Sequence, residues 1–402
     1  MTQPSPFDLR TRFDGITPTS DAVTLLDHEL PHLFATSSRL ASADHLDLRP
    51  LEVHLGARVW RFERGSGSLR ICGDSPLEDP RDPVEWHTDE ATFAAVADDR
   101  ITPIGLMTAG TLDLRNGRIG RLLDWWLVIR SVLDDCPVHH RGRLDLPEDL
   151  GRSFSLDDDP AEMRAFLSGA GFLVLRDVFG ADEMAAVSAE MDAAAPSYSL
   201  GDSNSWWAET ADGTSRLVRM QRFDVRSATT ASLLADDRLS RVAAITGVGH
   251  RLPDGEDANR IEALVKPIGV TEGISDVPWH KDCSLGRHSY RCCSMTVGIS
   301  VTGAGPGSGQ LRVIAGSHRA LVWPSLLDVA DTGLPELALA TAAGDVTVHL
   351  SCTLHMAEPP TAMERRVLYT SFDLPPLDAA ATADAERELS RSRESAPLNV
   401  SQ

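Results

Sequence analysis

The sequence predicts an α+β chain of two domains, a mixed α/β unit followed by a β-rich unit with flanking helices. Three observations carry that expectation. At 402 residues the chain exceeds the size at which one hydrophobic core usually stops growing. A stretch rich in Pro, Gly, Asp and Arg, CPVHHRGRLDLPEDLGRSFSLDDDP, interrupts its middle without sustained periodicity. Before this break helical and alternating segments mix, and after it short β-type runs dominate.

Taken in order, residues 1–20 read as an N-terminal extension and 21–135 as the α/β unit. It opens on the helical run AVTLLDHELPHLF, continues through the alternating segments LEVHLGARVWRFE and GSLRICGD, and ends on RIGRLLDWWLVIRSVLDD. There Ile119, Leu122, Leu123, Trp126, Leu127 and Ile129 recur at helical spacing, so one buried face is expected. Residues 136–158 read as a linker. The second domain, 159–376, begins with a helix, a Gly break, the strand-like FLVLRDVF and a second helix entered at Ala181 and Asp182. Trp206 and Trp207, with Arg216, Arg219 and Arg222, fall in a polar loop region, where they fit a substrate mouth facing an anionic group as well as ordinary surface pairing. The runs EALVKPIG, SMTVGISVTG, GQLRVIAG, GDVTVHL and RRVLYTSF then point to a sandwich or barrel. Residues 377–402 form a polar tail.

Composition removes several function classes. A formal net charge of −21 repels polyphosphate backbones and argues against nucleic acid as a partner. No segment approaches the roughly 20 apolar residues of a membrane span, so stable membrane insertion is not expected. The start, MTQPSPFDLRTRFDG, lacks a basic patch followed by an apolar run, and a cytoplasmic location is expected. Cys72, Cys136, Cys283, Cys292, Cys293 and Cys352 show no metal-binding CxxC spacing and read as reduced thiols.

The chemistry-bearing pattern is His-x-Asp. A mononuclear iron that also binds a co-substrate and oxygen needs two histidines and one carboxylate on one face, with the other positions open. Three such tripeptides occur: His45-Leu46-Asp47, His87-Thr88-Asp89 and His280-Lys281-Asp282. Only the third lies in the β-rich half with histidines and arginines downstream, so His280 and Asp282 are the candidate metal ligands. For the distal histidine the residues leave His349 and His355, with His318 read as a turn residue. For a co-substrate carboxylate they leave Arg365 and Arg366, neighbours that a strand sends to opposite faces. A guanidinium suits this task because it grips a carboxylate through two parallel hydrogen bonds. Thr296 and Ser294 sit on the polar face of SMTVGISV.

The stretches VPWHKD, SGQLRVIAGSHR, GDVTVHLSCTLH and ERRVLYTSF resemble the phytanoyl-CoA dioxygenase family of iron(II)/2-oxoglutarate oxygenases, and FLSGAGFLVLRDVFGADEM is similar to its opening helix and strand. The resemblance spans about residues 160–375. It implies a double-stranded β-helix, a jelly roll of the cupin kind, that binds Fe(II) and 2-oxoglutarate and takes O2 as co-substrate. In the family the distal histidine follows the Gly-Asp turn by ten residues, which from Asp345 gives His355. The co-substrate arginine lies about eleven further on, which gives Arg366. The implied site is therefore His280, Asp282 and His355 on the metal and Arg366 on 2-oxoglutarate. The sequence departs from the family at Val277, where many members carry Gln, and in MAEPPTAMERR, where Asn and Ser are common. The intact Asp282 disfavours a halogenase, so hydroxylation of a small molecule, lipid-like or carrier-bound, is expected. Two alternatives stand beside it, a catalytically silent lipid-binding scaffold and another metal-dependent enzyme on the same triad. Burial of such a cluster without a metal is costly, and a hydrolase has no use for the arginine.

In the first unit, TFAAVADDRITPIGLMTAGTLDLRNGRIGRLLDWWLVI is similar to the closing part of a sterol-carrier-protein-type lipid-binding domain. That likeness implies an apolar tunnel for an acyl chain or sterol. The residues alone equally fit a filled core of Met107, Trp125 and Trp126.

Overall fold

A computed structural model describes residues 21–65, 68–73, 76–253, 258–273, 278–285, 294–326 and 332–374. The 1–20 extension, the 377–402 tail, Val277, Cys292 and Cys293 lie outside the described residues.

The first unit is built on five strands, β1 (Leu51–Leu55), β2 (Arg58–Arg64), β3 (Leu69–Cys72), β4 (Val84–Thr88) and β5 (Asp113–Arg115), in the order β3-β2-β1-β4-β5. The β1/β4 pair is parallel and the other pairs are antiparallel. Alternation buries Leu51, Val53 and Leu55 and turns Glu52 and His54 to the opposite face. Against the buried face lie α1 (Ala22–Thr24) and α2 (Leu30–Thr36), joined by a π turn, then α3 (Glu90–Ala97), α4 (Pro103–Thr108) and α5 (Ile119–Leu133). The Asp89 carboxylate accepts from Thr92 N at 2.8 Å and the Thr102 hydroxyl from Gly105 N at 3.0 Å, each satisfying an orphan donor at a helix start.

Helix α5 departs from expectation. Instead of one face, it buries every residue from Leu122 to Val132, including Asp124, Arg130 and Ser131. Arg130 pairs with Asp134 and donates to the Ala97 carbonyl, so its charge is satisfied inside. Near the helix start Gly120 lies under Trp323 of the second unit, where a Cβ would stand 2.8 Å from the indole. Between α3, α5 and the sheet, Trp86, Phe93, Leu122 and Trp126 line an apolar space of about 10 Å³. That admits about one water and no acyl chain, so these residues pack as a filled core.

The 136–158 segment is not a free connector. Val138 bridges Leu321, His139 N donates to Leu321 O at 2.9 Å, and buried Phe154 pairs with Leu175 through Phe154 N to Val174 O at 2.8 Å. The second unit follows with α6 (Pro160–Ala170), N-capped by Asp159 and ended by Gly171 in the left-handed region at φ 86°. Then come α7 (Ala181–Ala194), entered from Gly180, whose N–H donates to Glu183, and α8 (Ala228–Leu234) and α9 (Asp237–Ala244).

Its strands are β6 (Phe172–Leu175), β7 (Ser205–Thr210), β8 (Ser215–Met220), β9 (Glu262–Lys266), β10 (Val270–Glu272), β11 (Trp279–His280) and β12 (Ser294–Ser300). They continue as β13 (Leu311–Ile314), β14 (Ser325–Leu326), β15 (Glu336–Leu339), β16 (Val346–Leu350), β17 (His355–Ala357) and β18 (Arg365–Asp373). Two antiparallel sheets result, β10-β7-β8-β9-β18-β12-β16-β6 and β14-β11-β17-β13-β15. The Trp206–Arg219 region, expected as loop, is the β7/β8 hairpin of the large sheet.

Register sorts the large sheet into two faces. Thr296 lies opposite His349 and Ser371, Gly298 opposite Thr347 and Tyr369, and Arg365 opposite Lys266, so all share one face. The other face carries Val297, Val348 and Leu368 into the core that includes Met184, Val187 and Met191 of α7. The first, polar face looks toward the small sheet, as the Lys266 ammonium donating to Ala357 O at 3.1 Å makes plain.

Candidate active site

Two very short strands and one turn bring the triad together. His280 ends β11 and lies opposite His355, the first residue of β17, while Asp282 opens the 3-10 turn Asp282–Leu285. Lys281 points the other way, fully buried, and donates to Ser317 O at 2.9 Å, which pins this edge. His280 Nε2 and His355 Nε2 lie 3.4 and 3.5 Å from Asp282 Oδ1.

The tautomers follow from the partners. His280 Nδ1 faces the Pro278 carbonyl at 2.7 Å and His355 Nδ1 the Thr353 carbonyl at 3.0 Å. A carbonyl only accepts, so each Nδ1 carries the hydrogen and each Nε2 turns a lone pair toward Asp282. From the large sheet, the Thr296 hydroxyl donates to Asp282 Oδ2 at 2.8 Å. His349 Nε2 stands 3.5 Å from the same oxygen, and its ring lies 4.3 Å from that of His355.

Electrostatics suit a cation. Burial pushes the His355 imidazole down to about 3, so it is neutral and its lone pair is available. Burial opposes ionisation of Asp282, and positive charge shared with the surrounding imidazoles holds the carboxyl well below 3.8, a role that a bound metal cation takes over when the imidazoles turn lone pairs to it. His280, Asp282 and His355 present ligand atoms within 4.8 Å of one another, and both His349 nitrogens are buried without a hydrogen-bond partner. Two imidazoles turning Nε2 toward one carboxylate, with orphaned nitrogens beside them, fit a divalent metal with open positions.

In the other two His-x-Asp tripeptides the aspartate is engaged elsewhere. Asp47 pairs with Arg81 at 2.7 Å and Arg121 at 3.0 Å, and Asp89 caps α3.

Arg366 requires correction. It sits on the helix-facing side of β18, donating to Ser188 O and Oγ of α7 at 3.0 Å and pairing with Asp192 at 2.8 Å. Its partner-bound guanidinium faces away from the metal side. Arg365, one residue earlier, is the arginine on the polar inner face. It is buried, donates to Gly309 O at 2.7 Å and Tyr369 OH at 3.0 Å, and keeps an unpaired Nε. Counting residues from His355 leads to the neighbour that faces α7, whereas strand alternation separates the two arginines onto opposite faces. Thr296, flagged from sequence only as a polar-face residue, proves to contact the triad directly. Ser294 instead lies 3.9 Å from Cys283.

At the far end of the same face, Trp206 lies opposite Arg219 and Trp207 opposite Leu217, with a bulge between the two tryptophans. The extra residue lies on β8, between Leu217 and Arg219, so β7 keeps its alternation: Trp206 shares the inner face with Arg219, and Trp207, whose Nε1 donates to Ser205 Oγ at 3.0 Å, turns to the other face. The Arg219 guanidinium stacks on Trp206 at 4.2 Å and pairs with Glu262 at 3.5 Å.

The sequence profile of the phytanoyl-CoA dioxygenase (PhyH) family matches residues 167–367. No curated protein matches the chain. Among solved structures, AviO1 from Streptomyces viridochromogenes Tue57 is similar, at 22% identity over 54% of this chain and 97% of that one, TM-score 0.43. EctD from S. alaskensis, in its apoform, is 23% identical over 58% of this chain and 83% of its own, TM-score 0.43. SnoN, the non-haem α-ketoglutarate-dependent epimerase from nogalamycin biosynthesis, is 18% identical over 56% and 89%, TM-score 0.40. Fold, site and profile together define a non-haem-iron, 2-oxoglutarate-dependent enzyme. The chain belongs to the phytanoyl-CoA dioxygenase family, and its cofactors are iron(II) and 2-oxoglutarate.

Proposed function

We propose that this chain is a dioxygenase that hydroxylates a hydrophobic, acyl-bearing or natural-product small molecule, with succinate and carbon dioxide as co-products. The observation that carries the reading is the convergence of His280, Asp282 and His355, with both Nδ1–H groups tied to carbonyls and both Nε2 atoms facing Asp282. Iron(II) with 2-oxoglutarate and O2 supplies the oxidation of a substrate C–H bond when bound.

The chain's own residues do the positioning. His280, Asp282 and His355 hold the metal, and Thr296 fixes the Asp282 carboxylate by its 2.8 Å hydrogen bond. Arg365 is the residue we assign to the distal carboxylate of 2-oxoglutarate, in place of Arg366. Its Tyr369 and Gly309 contacts hold the guanidinium plane, and its buried cation gains strength from exclusion of water. Trp206 and Arg219 fit the wall of a substrate mouth, offering flat apolar surface and one cation. Cys72, Cys136, Cys283 and Cys352 form no disulfide, which fits a reducing, cytoplasmic setting, and no helix among the described residues is long and apolar enough to cross a membrane.

The test is anaerobic addition of iron(II) and 2-oxoglutarate, read as a weak visible charge-transfer band. The band is expected in the native chain and absent in His280→Ala. Its absence from the native chain under saturating metal would sink the assignment. Succinate release over acyl-CoA, steroid and polyketide candidates then identifies the substrate class.

A further inference from the structure

The solvent-side face of the N-terminal sheet carries a second convergence of ligands. Strands β1 and β4 run parallel with Glu52 opposite Glu85 and His54 opposite His87, so two Glu-x-His pairs are superposed strand on strand. Period-two alternation places all four side chains on the face away from Val53 and Trp86. The His54 and His87 rings stack with centroids 4.1 Å apart. His54 Nε2 lies 3.2 Å from Glu52 Oε2, and His87 Nε2 lies 3.4 Å from Glu85 Oε2. His54, Glu85 and His87 each offer a ligand atom within 4.8 Å of the others.

We propose that His54, Glu85 and His87 form a second divalent metal site, best suited to zinc, with solvent completing the coordination. Two imidazoles and a carboxylate are borderline donors of the kind zinc accepts. Four ligands at zinc bond lengths of about 2.0–2.2 Å stand roughly 3.3 Å apart, close to the spacing already present between Glu85 and His87. Side-chain exposures of 18% for His54, 27% for His87 and 32% for Glu85 leave the cluster half-sheltered yet reachable by an ion. Two carboxylates directly opposite on neighbouring strands repel, and a cation between the strands removes that penalty. Arg61 already holds Glu52 at 2.8 Å, so Glu52 serves as the carboxylate that orients His54 while Glu85 meets the ion. An ion here would clamp β1 to β4. The proposal is independent of the oxygenase reading, since it uses other residues on the other unit.

The test uses full-length protein carrying His280→Ala and His355→Ala, which removes two imidazoles from the candidate active site. After zinc loading and dialysis into metal-free buffer, about one zinc per chain is expected by elemental analysis. Adding His54→Ala is expected to abolish it, and Glu85→Gln to weaken zinc binding at least ten-fold. Cobalt(II) is expected to give a visible d–d band that His87→Ala removes. If the active-site variant fails to fold, the native chain is titrated instead, with two zinc equivalents expected and one in His54→Ala. Retention of no zinc by a folded active-site variant, or equal stoichiometry and affinity in native and His54→Ala chains, overturns the proposal. Circular dichroism checks that His54→Ala, a change on the polar face, keeps the sheet.

Discussion

Arg365 and Arg366 are adjacent, and their environments make opposite claims on experiment. Removing Arg365 takes a buried cation from the inner face, where charge-assisted hydrogen bonds to a carboxylate contribute about 1.5–3 kcal/mol each. Arg365→Ala is therefore expected to raise the KM for 2-oxoglutarate at least 100-fold and Arg365→Lys about ten-fold, measured by succinate release. Arg366→Ala is expected to leave that KM unchanged and to cost on the order of 1 kcal/mol of stability through its half-sheltered contacts with α7. The reverse ranking would return the co-substrate to Arg366. Thr296→Val, which deletes the hydroxyl on Asp282, is expected to lower iron affinity about 10–100-fold in anaerobic titration, with Thr296→Ser restoring it. The ambiguity between the arginines has a physical origin. Val367 and Leu368 are both buried, so this strand is covered on both faces and its hydrophobic pattern does not say which neighbour points inward. The count from His355 runs through a loop, and loop length is free to vary where strand register is not.

At the scale of elements, long β-branched or apolar runs were legible because burial forces their periodicity. Strands β11 and β17, of two and three residues, carry no readable period, yet they hold both histidines of the triad. Hairpin β7/β8 reads as loop because Ser215 and Arg216 are exposed and the bulge between Trp206 and Trp207 breaks the period. The 136–158 segment lacks periodicity because it pairs through isolated bridges. Helix α5 was legible as a helix, but its complete burial was not, since charges at Asp124 and Arg130 suggest an exposed face. Asp124 yields a pH-dependent test. Burial raises its carboxyl from 3.8 to about 6, with Arg121 and a hydrogen bond from Trp323 offsetting part of the effect. The folded state thus holds the proton more tightly than the unfolded chain, so stability falls as pH rises from about 4 through 6. Asp124→Asn is expected to stabilise the protein by on the order of 2–3 kcal/mol above pH 7 and to give no advantage near pH 4, read from denaturant midpoints at both values.

Across the whole molecule the two cores are distinct but not separate. Leu321 packs into the first core, Val138 bridges to it, Trp323 covers Gly120, and α4 lies alongside the turn Asp282–Leu285 that begins with the triad carboxylate. A ligand that binds only the native state stabilises it by about 2.7 kcal/mol at a hundred times its Kd. Iron(II) followed by 2-oxoglutarate is therefore expected to raise the thermal midpoint in two successive steps of several degrees, measured anaerobically. The second step separates the two metal sites, because the cluster at His54, Glu85 and His87 has no buried guanidinium beside it to hold a dicarboxylate. It is expected to vanish in Arg365→Ala and to persist in both Arg366→Ala and His54→Ala. With α4 against the metal-side turn and Leu321 inside the first core, the co-substrate step is expected to move one shared transition. A step confined to one of two resolved transitions would mean that the interface between the cores is too weak to couple their unfolding, and that the N-terminal unit does not share in the stability of the site.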